Sequence, residues 1–302
     1  MIFLLDVTNY SVASSPILQP AFFSLFWNDF IGGREPCIPV APETTLSFLG
    51  SCPCWVARWN MKRIGLKRLG IVVAMRDEAK TLTKHPLSIG QTIEVHEGVL
   101  VHLSGVGRKR ATRAAQSLLN RGATALLSWG TAGGLVPGLA AGSLAVPKSV
   151  MGSDSSLFQV DLSWHERLRG RLEGRIDLRS ETLIESPTVL MTPEEKRALA
   201  DRTGAVAVDM ESAAVAFTAE QAGLPFVALR VISDTLDQAL PSCVLSAYNT
   251  SGDLKMWKLL RGLVQHPEEL LGWMRLTTSS RKARKTLTRI ARSTEWGFLA
   301  PQ

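Results

Sequence analysis

From residue 69 onward, apolar runs of strand length alternate with segments of helical character. A continuous apolar run of about four to eight residues is consistent with a strand buried on both faces. Thr192, Pro193 and Glu195 supply an N-cap, a first-turn proline and a capping box, which predict the start of a helix. The predicted strands are 69–75, 99–103, 124–128, 143–146 and 226–232, and the predicted helices are 109–119, 193–202 and 212–221. This alternation predicts an α/β domain in three layers with a mostly parallel or mixed sheet.

Residues 1–60 differ from the rest of the chain, because their aromatic, Pro and Cys residues follow neither a helical nor a strand period. We expect translation to start at Met61, which would make residues 1–60 a non-native or disordered extension. A membrane-associating role for this segment is the alternative. Abundant peptides from residues 1–60 in mass spectrometry of the native protein would contradict the expectation. The domain is then 61–302, with a basic helical tail over about 250–302.

The net charge of +7 is concentrated in that tail. Seven basic residues occur between 275 and 292 without an intervening acid: Arg275, Arg281, Lys282, Arg284, Lys285, Arg289 and Arg292. One interpretation is a solvated helix or a frayed terminus. The other is contact with an anionic membrane surface or an acidic partner. Nucleic acid is disfavoured because no binding motif or interleaved aromatic residues accompany the charges. The apolar positions of the tail are Trp257, Leu259, Leu260, Leu263, Leu270, Leu271 and Met274.

The four cysteines and five histidines do not have the spacing of a metal site or a disulfide framework. No apolar run reaches the roughly 18 to 20 residues that span a bilayer, and no signal peptide is recognisable. These features favour a cytoplasmic location, with peripheral membrane association through the basic tail as an addition. Neither a metal nor an organic cofactor is implied.

Acidic residues follow two of the predicted strands and also occupy a strand-to-helix junction. Glu78 comes after the first, Asp209 and Glu211 stand at a strand-to-helix junction, and Asp234 follows the apolar run 226–232. Each could merely cap or begin a helix. However, ligands of α/β sheets bind where strands end, and burial of a carboxyl group favours its protonated form. One acid could hold sugar hydroxyls while another protonates a leaving group, as glycosidic bond cleavage requires.

Two glycine-rich segments also follow predicted strands. Ser104-Gly105-Val106-Gly107 resembles the start of a dinucleotide fingerprint, but Arg110 occupies the position of its third glycine. The segment predicts a tight turn whose backbone N–H groups could approach a sugar or an anion. Gly130–Gly134, which includes Gly133, is predicted to be a loop that lets the backbone approach a ligand closely.

As an ordered set over about residues 69–240, these segments resemble the nucleoside phosphorylase and nucleosidase superfamily. The resemblance implies a three-layer α/β/α sandwich around a mixed sheet, assembled as a homo-oligomer. It also implies a purine nucleoside substrate whose parts contact different residues. Asp234 would protonate N7 of adenine, Glu78 would activate the attacking water, and Glu211 would accept hydrogen bonds from the ribose. The remaining implied substrate contacts are Ser233, which orients the base, Met210 against the sugar, the backbone at Ser104, Gly105 and Gly133, and Val189 and Leu190 in the base pocket.

A carboxylate at position 78 would repel phosphate, which favours hydrolysis over phosphorolysis, although Arg76 and Arg108 keep a phosphate site open. Over about residues 69–292, including Asp237–Pro241 and His266–Leu271, the chain resembles the hopanoid-associated phosphorylase subfamily. That resemblance implies release of adenine from adenosylhopane to give ribosylhopane. The alternatives are a nucleosidase for methylthioadenosine or S-adenosylhomocysteine, a phosphate-dependent purine nucleoside phosphorylase, and a non-catalytic nucleoside-binding protein.

Overall fold

The computed structural model describes residues 68–242, 261, 264–293 and 301. The strands are β1 Leu69–Val73, β2 Thr92–His96, β3 Val99–Leu103, β4 Ala125–Gly134, β5 Leu144–Ala145, β6 Ser149–Met151, β7 Leu157–Gln159, β8 Leu178–Arg179, β9 Leu183–Glu185, β10 Ala207–Asp209 and β11 Phe226–Asp234. The helices are α1 Arg76–Leu82, α2 Arg108–Asn120, α3 Leu162–Leu172, α4 Pro193–Thr203, α5 Ser212–Gln221 and α6 Leu270–Ser293, and a 3-10 turn spans Pro267–Glu269. Residues 1–60, Met61 and the tail positions Trp257, Leu259, Leu260 and Leu263 lie outside the described residues.

The described strands form one mixed sheet of eleven strands. Strand β4 pairs with three other strands. Its pairings with β1 and β11 are parallel, and its pairing with β10 is antiparallel. Strand β3 continues the sheet beyond β1 in parallel, and β2 is antiparallel to β3. The side chains of β1 and β3 are buried along the whole length of both strands. Strands buried on both faces need helices on both faces, so the predicted α/β fold around a mixed sheet is confirmed.

The prediction that Gly130–Gly134 forms a loop is wrong, because this segment is the second half of β4. Its residues pair with β11 on one side and with β10 on the other. The glycines serve to leave space rather than to turn the chain, because their missing side chains admit groups from the neighbouring strands. Asp234 is likewise the last residue of β11 and does not follow the strand.

The predicted start of helix α4 is confirmed. Thr192 Oγ1 accepts a hydrogen bond from the backbone N–H of Glu195 at 3.2 Å, and the Glu195 carboxylate accepts one from the backbone N–H of Thr192 at 3.2 Å. The helix ends at Gly204, whose φ of 66° is the left-handed conformation that favours glycine. These caps fix the end of α4 from which Lys196 extends.

Helix α6 packs one face on the domain through Ala283, Leu287 and Ile290, which are fully buried. The apolar residues at its beginning, Leu270 and Leu271, are exposed instead of buried against the core. Across the described part of the chain, no helix has the length and apolar character needed to cross a membrane.

Candidate active site

The candidate site lies around the second half of β4, where side chains from β1–α1, β10–α5 and β11 converge. Glu78 reaches it from the first turn of α1. Arg230 and Asp234 reach it from β11, where they stand in register with Gly130 and Gly133. Asp209 ends β10, and Glu211 occupies the N-cap position of α5. All five side chains are buried, with no more than 8% of the residue surface exposed.

Glu78 is held rigidly by three hydrogen bonds. Its Oε1 atom accepts from the backbone N–H of Thr131 at 2.8 Å and from the hydroxyl of Thr131 at 2.9 Å. Its Oε2 atom accepts from the backbone N–H of Met75 at 3.0 Å. Burial raises the pKa of Glu78, and the positive charge of Arg230 opposes that shift. The neighbouring Asp77 is exposed and bonded to Lys80, so only one of the two adjacent acids belongs to the site.

Arg230 is a fully buried cation at the centre of the cluster. Its Nε atom lies 2.8 Å from Oδ2 of Asp209. Its Nη2 atom donates to the hydroxyls of Ser128 at 2.7 Å and Ser212 at 3.1 Å. The sequence reasoning did not assign Arg230 a role. A charged residue inside an otherwise apolar strand was the available signal, because such a residue is rarely buried without a partner.

Glu211 is tied to the turn before α2. Its Oε1 atom accepts a hydrogen bond from the backbone N–H of Gly107 at 2.8 Å. Burial, together with the negative charge of Asp209, raises the pKa of Glu211 to about 8, while Arg230 opposes the shift. The carboxyl group can therefore carry a proton near neutral pH, and a ligand that donates hydrogen bonds to it would favour its ionised form.

The two glycines of β4 leave the space that the charged groups occupy. A Cβ atom at Gly130 would collide with Nη1 of Arg230 and would lie 2.7 Å from Oε1 of Glu78. A Cβ atom at Gly133 would lie 3.1 Å from Oδ2 of Asp234. Since Glu78 and Arg230 both crowd the same point, they are close neighbours across β4.

Asp234 is paired with a buried lysine that the sequence reasoning missed. Its Oδ2 atom lies 2.6 Å from Nζ of Lys196, which extends from α4 and is itself only 1% exposed. Its Oδ1 atom lies 2.7 Å from the hydroxyl of Ser233. The hydroxyl of Ser233 also lies 3.2 Å from the backbone carbonyl of Ala132. The helical pattern of α4 gave no sign that Lys196, which follows two glutamates, would point inward.

A second missed pair, Glu185 and Arg108, borders the cluster. The Glu185 carboxylate accepts from Nη1 of Arg108 and from the backbone N–H of Ala214, both at 3.0 Å. Burial raises the pKa of Glu185 to about 7, opposed by the Ala214 hydrogen bond and increased by Asp209. Arg108 also lies 3.6 Å from Asp154. The guanidinium of Arg108 is therefore already engaged by two carboxylates.

The remaining predicted substrate contacts fall in different places. The Ser104 hydroxyl is buried and directed at the backbone carbonyls of Val73 and Gly105, so it braces the turn. Gly105 has a φ of 79°, as a tight turn requires. Met210 is half-buried between Asp209 and Glu211. Val189 and Leu190 line a cavity of about 490 Å³ together with Ile184 and Glu185, but Glu78, Glu211 and Asp234 are not in its lining.

Among the residues that the structure describes, no group of His, Cys, Asp or Glu could hold a metal ion.

The sequence model of the phosphorylase superfamily matches residues 68–242, and the chain belongs to that superfamily of enzymes. The fold is also that of solved structures. One is a 5′-methylthioadenosine/S-adenosylhomocysteine nucleosidase of Helicobacter pylori, with 21% identity over 76% of this chain and 100% of that chain, at a TM-score of 0.54. Futalosine hydrolase of Helicobacter pylori has 20% identity over 76% and 99%, also at 0.54. A nucleosidase of Neisseria meningitidis, in complex with methylthio-immucillin-A, has 19% identity over 76% and 100%, at 0.53.

These comparisons confirm the predicted superfamily and its fold. At such identities, the structural likeness extends to the fold alone. The subfamily, the homo-oligomer and the role of each site residue stay predictions.

The space at Gly130 gives a first prediction. Gly130→Ala would push a methyl group into Arg230 and Glu78, and we expect it to lower the free energy of unfolding by about 1–3 kcal/mol. The matched control is Gly134→Ala, whose Cβ would meet its nearest atom at 3.3 Å and should cost less. Chemical denaturation measures both. Equal losses in the two variants would mean that the space at Gly130 is not reserved for the charged pair.

The elevated pKa of Glu211 gives a second prediction. The folded protein keeps the proton of Glu211 up to about pH 8, whereas the unfolded chain releases it near the ordinary value of 4.5. The stability of the protein should therefore fall, relative to Glu211→Gln, as the pH rises between these values. We expect the Tm of the wild type to fall by roughly 5 °C, relative to the Tm of Glu211→Gln, from pH 5 to pH 8. Glu97→Gln, at an exposed position, is the control, and a pH-independent difference would contradict the buried, protonated carboxyl group.

Proposed function

We propose that the protein releases adenine from an adenine nucleoside by hydrolysis of the N-glycosidic bond. The observation that carries the proposal is a set of three buried carboxyl groups around the second half of β4. Glu78 is bonded to Thr131 of β4, Asp234 pairs in register with Gly133, and Glu211 interacts electrostatically with Glu78. An acid at the leaving base, a hydrogen-bond acceptor for the sugar and a base for the attacking water are the three functions that this reaction requires.

Each carboxylate has a proposed role. Asp234 protonates N7 of adenine, so that the base leaves as a neutral molecule, and Ser233, whose hydroxyl lies 2.7 Å from Oδ1 of Asp234, helps to orient the base. Glu211 accepts hydrogen bonds from the ribose hydroxyls, with Met210 against the sugar. Glu78 orients and deprotonates the attacking water. As the glycosidic bond breaks, positive charge develops on the ribose, and the surrounding carboxylates stabilise it.

The state of the arginines supports hydrolysis over phosphorolysis. A phosphate dianion needs cationic groups that are available to it. Arg230 is engaged with Asp209, and Arg108 is engaged with Glu185 and Asp154. Arg76 donates to the backbone carbonyl of Leu87 at 2.8 Å. Phosphate at the position of the water would also meet the buried carboxyl group of Glu78.

For the nucleoside itself we propose adenosylhopane, which would be converted to ribosylhopane. Support comes from helix α6, which begins with exposed Leu270, Leu271 and Met274. The same helix continues with an exposed basic face that consists of Arg281, Arg284, Lys285, Arg289 and Arg292. A helix with exposed apolar residues and a basic face suits an anionic bilayer, where a lipid-tailed substrate would be found.

The identity of the reaction is tested by chromatography of the products. Adenosylhopane in detergent and methylthioadenosine are each incubated with the protein, with and without phosphate. Adenine released from adenosylhopane without phosphate is the expected result. Strict dependence on phosphate would establish phosphorolysis instead, and turnover of methylthioadenosine alone would exclude the lipid nucleoside.

The acid has its own prediction. Asp234→Asn keeps the shape of the side chain but cannot donate a carboxyl proton, so we expect adenine release to fall by about 100-fold or more. Asp237→Asn is the matched control, because Asp237 lies three residues away and its side chain is 70% exposed. Full activity of Asp234→Asn would contradict the mechanism.

The basic surface of α6 has a further prediction. We expect the protein to sediment with vesicles that contain phosphatidylserine, and to be released from them by raising the salt from about 0.1 to 0.5 M, since exposed charges are screened. Replacing Arg281 and Arg289 with Gln should weaken this binding about 30-fold, because each basic residue near the surface contributes on the order of 1 kcal/mol. The double replacement Lys109→Gln and Arg113→Gln, on exposed positions of α2, is the control. Equal binding to pure phosphatidylcholine vesicles would argue against the electrostatic contact.

A further inference from the structure

Lys196 makes three hydrogen bonds from a fully buried position. Its Nζ atom lies 2.6 Å from Oδ2 of Asp234, 2.8 Å from the backbone carbonyl of Thr235 and 3.0 Å from that of Gln238. An ammonium group has three N–H donors, and all three are used here. The lysine is therefore placed as a cation that has one side-chain partner in the described part of the chain, the carboxyl group of Asp234.

This pairing bears on the source of the proton that the leaving base requires. Both oxygens of Asp234 are approached by donors, Oδ2 by Lys196 and Oδ1 by the hydroxyl of Ser233. In this arrangement the carboxylate accepts hydrogen bonds, and the proton nearest to Oδ2 is on the lysine. Two titratable groups in such close contact share their protons as a pair.

We propose that Lys196 is a positioning residue that holds Asp234 and supplies it with the proton that passes to the leaving base. This inference rests on the proposed function and deepens it. The two backbone carbonyls fit the transfer, since a neutral amine keeps two N–H groups, one for Thr235 and one for Gln238. Its lone pair then faces the newly formed O–H group of Asp234.

The protons balance over the reaction. A proton moves from Nζ to Oδ2, and Asp234 passes it to the base nitrogen as the glycosidic bond breaks and its electron pair stays with adenine. The attacking water forms the new bond to the ribose carbon and loses a proton to Glu78 and then to solvent. Lys196 regains a proton from solvent after the products leave.

Other charged groups near the pair already have partners or are exposed. On α4, Arg197 pairs with both Glu194 and Asp237, and Glu195 caps its own helix. On β10 and α5, Asp209 and Glu211 are arranged around Arg230 and Gly107. Helix α6, which packs against β11, has its basic residues exposed. These basic residues are Arg275, Arg281, Lys282, Arg284, Lys285, Arg289 and Arg292.

The test is the pH profile of kcat for Lys196→Met, with adenosylhopane or methylthioadenosine as substrate, whichever the protein cleaves. In the wild type, the acid can be resupplied by an ammonium group, and ammonium groups as a class hold their protons to higher pH than carboxyl groups do. In the variant, only the carboxyl group remains. We therefore expect the alkaline limb to move down by more than one pH unit, so that the loss of kcat at pH 9 exceeds the loss at pH 6 by at least about tenfold.

A purely structural role of Lys196 would lower kcat by the same factor at every pH, and an unmoved alkaline limb would overturn the inference. Asp201→Asn is the matched control, because it removes an exposed charge from the same helix. Loss of the lysine leaves a buried carboxyl group without its partner and can prevent folding. Lys196→Gln, which keeps an N–H donor but has no proton to release, then decides the question through the same shift.

Asp234→Asn, measured beside these variants, separates the two proposals. If Asp234→Asn loses activity and the alkaline limb of the lysine variants stays in place, only the role of Lys196 is wrong. If Asp234→Asn is fully active, or if neither nucleoside is cleaved, the proposed function itself fails.

Discussion

The buried guanidinium of Arg230 is the interaction on which the rest of the site depends. It neutralises Asp209 directly, and its positive charge opposes the rise in pKa that burial causes in Glu78 and Glu211. One cation therefore interacts with three carboxyl groups. Removal of one partner of a buried ion pair typically costs about 3–5 kcal/mol, because the other charge is left uncompensated. The glycine at position 130 follows from the same constraint, since a side chain there would occupy the space of the guanidinium. The geometry of β4 is therefore set by the charges that lie across it.

Burial is the main source of the elevated pKa values of Glu211 and Glu185, and the negative charge of Asp209 raises both values further. Such an arrangement is unfavourable for the free protein and favourable for a ligand that develops positive charge or donates hydrogen bonds. A ribose that becomes oxocarbenium-like does both, whereas a phosphate dianion does neither. The electrostatics of the cleft thus favour water over phosphate as the proposed nucleophile, as the individual arginine contacts also do.

The sequence was sufficient where a local rule decides the structure. Helix α5 begins and ends at the predicted residues, and the capping box of Thr192 and Glu195 is formed. Strands of two or three residues, such as β7 and β8, are too short to show a period. The strand conformation of Gly130–Gly134 could not be predicted. A glycine that leaves room for a neighbouring side chain cannot be distinguished in a sequence from a glycine that turns the chain. Lys196 was missed for a related reason: its burial depends on a carboxylate 38 residues away, and no periodicity encodes that contact.

The two buried cations of the site differ in a way that matters for catalysis. An arginine does not release its proton at any physiological pH, so Arg230 can only stabilise charge. A buried lysine can release one, and Lys196 contacts the carboxyl group proposed as the acid. An acid that must donate a proton in every turnover needs a nearby group that can restore it, while the fixed charge of the cluster needs a group that cannot change. The placement of lysine beside Asp234 and arginine beside Asp209 matches these two requirements, and exchanging the two residue types would satisfy neither.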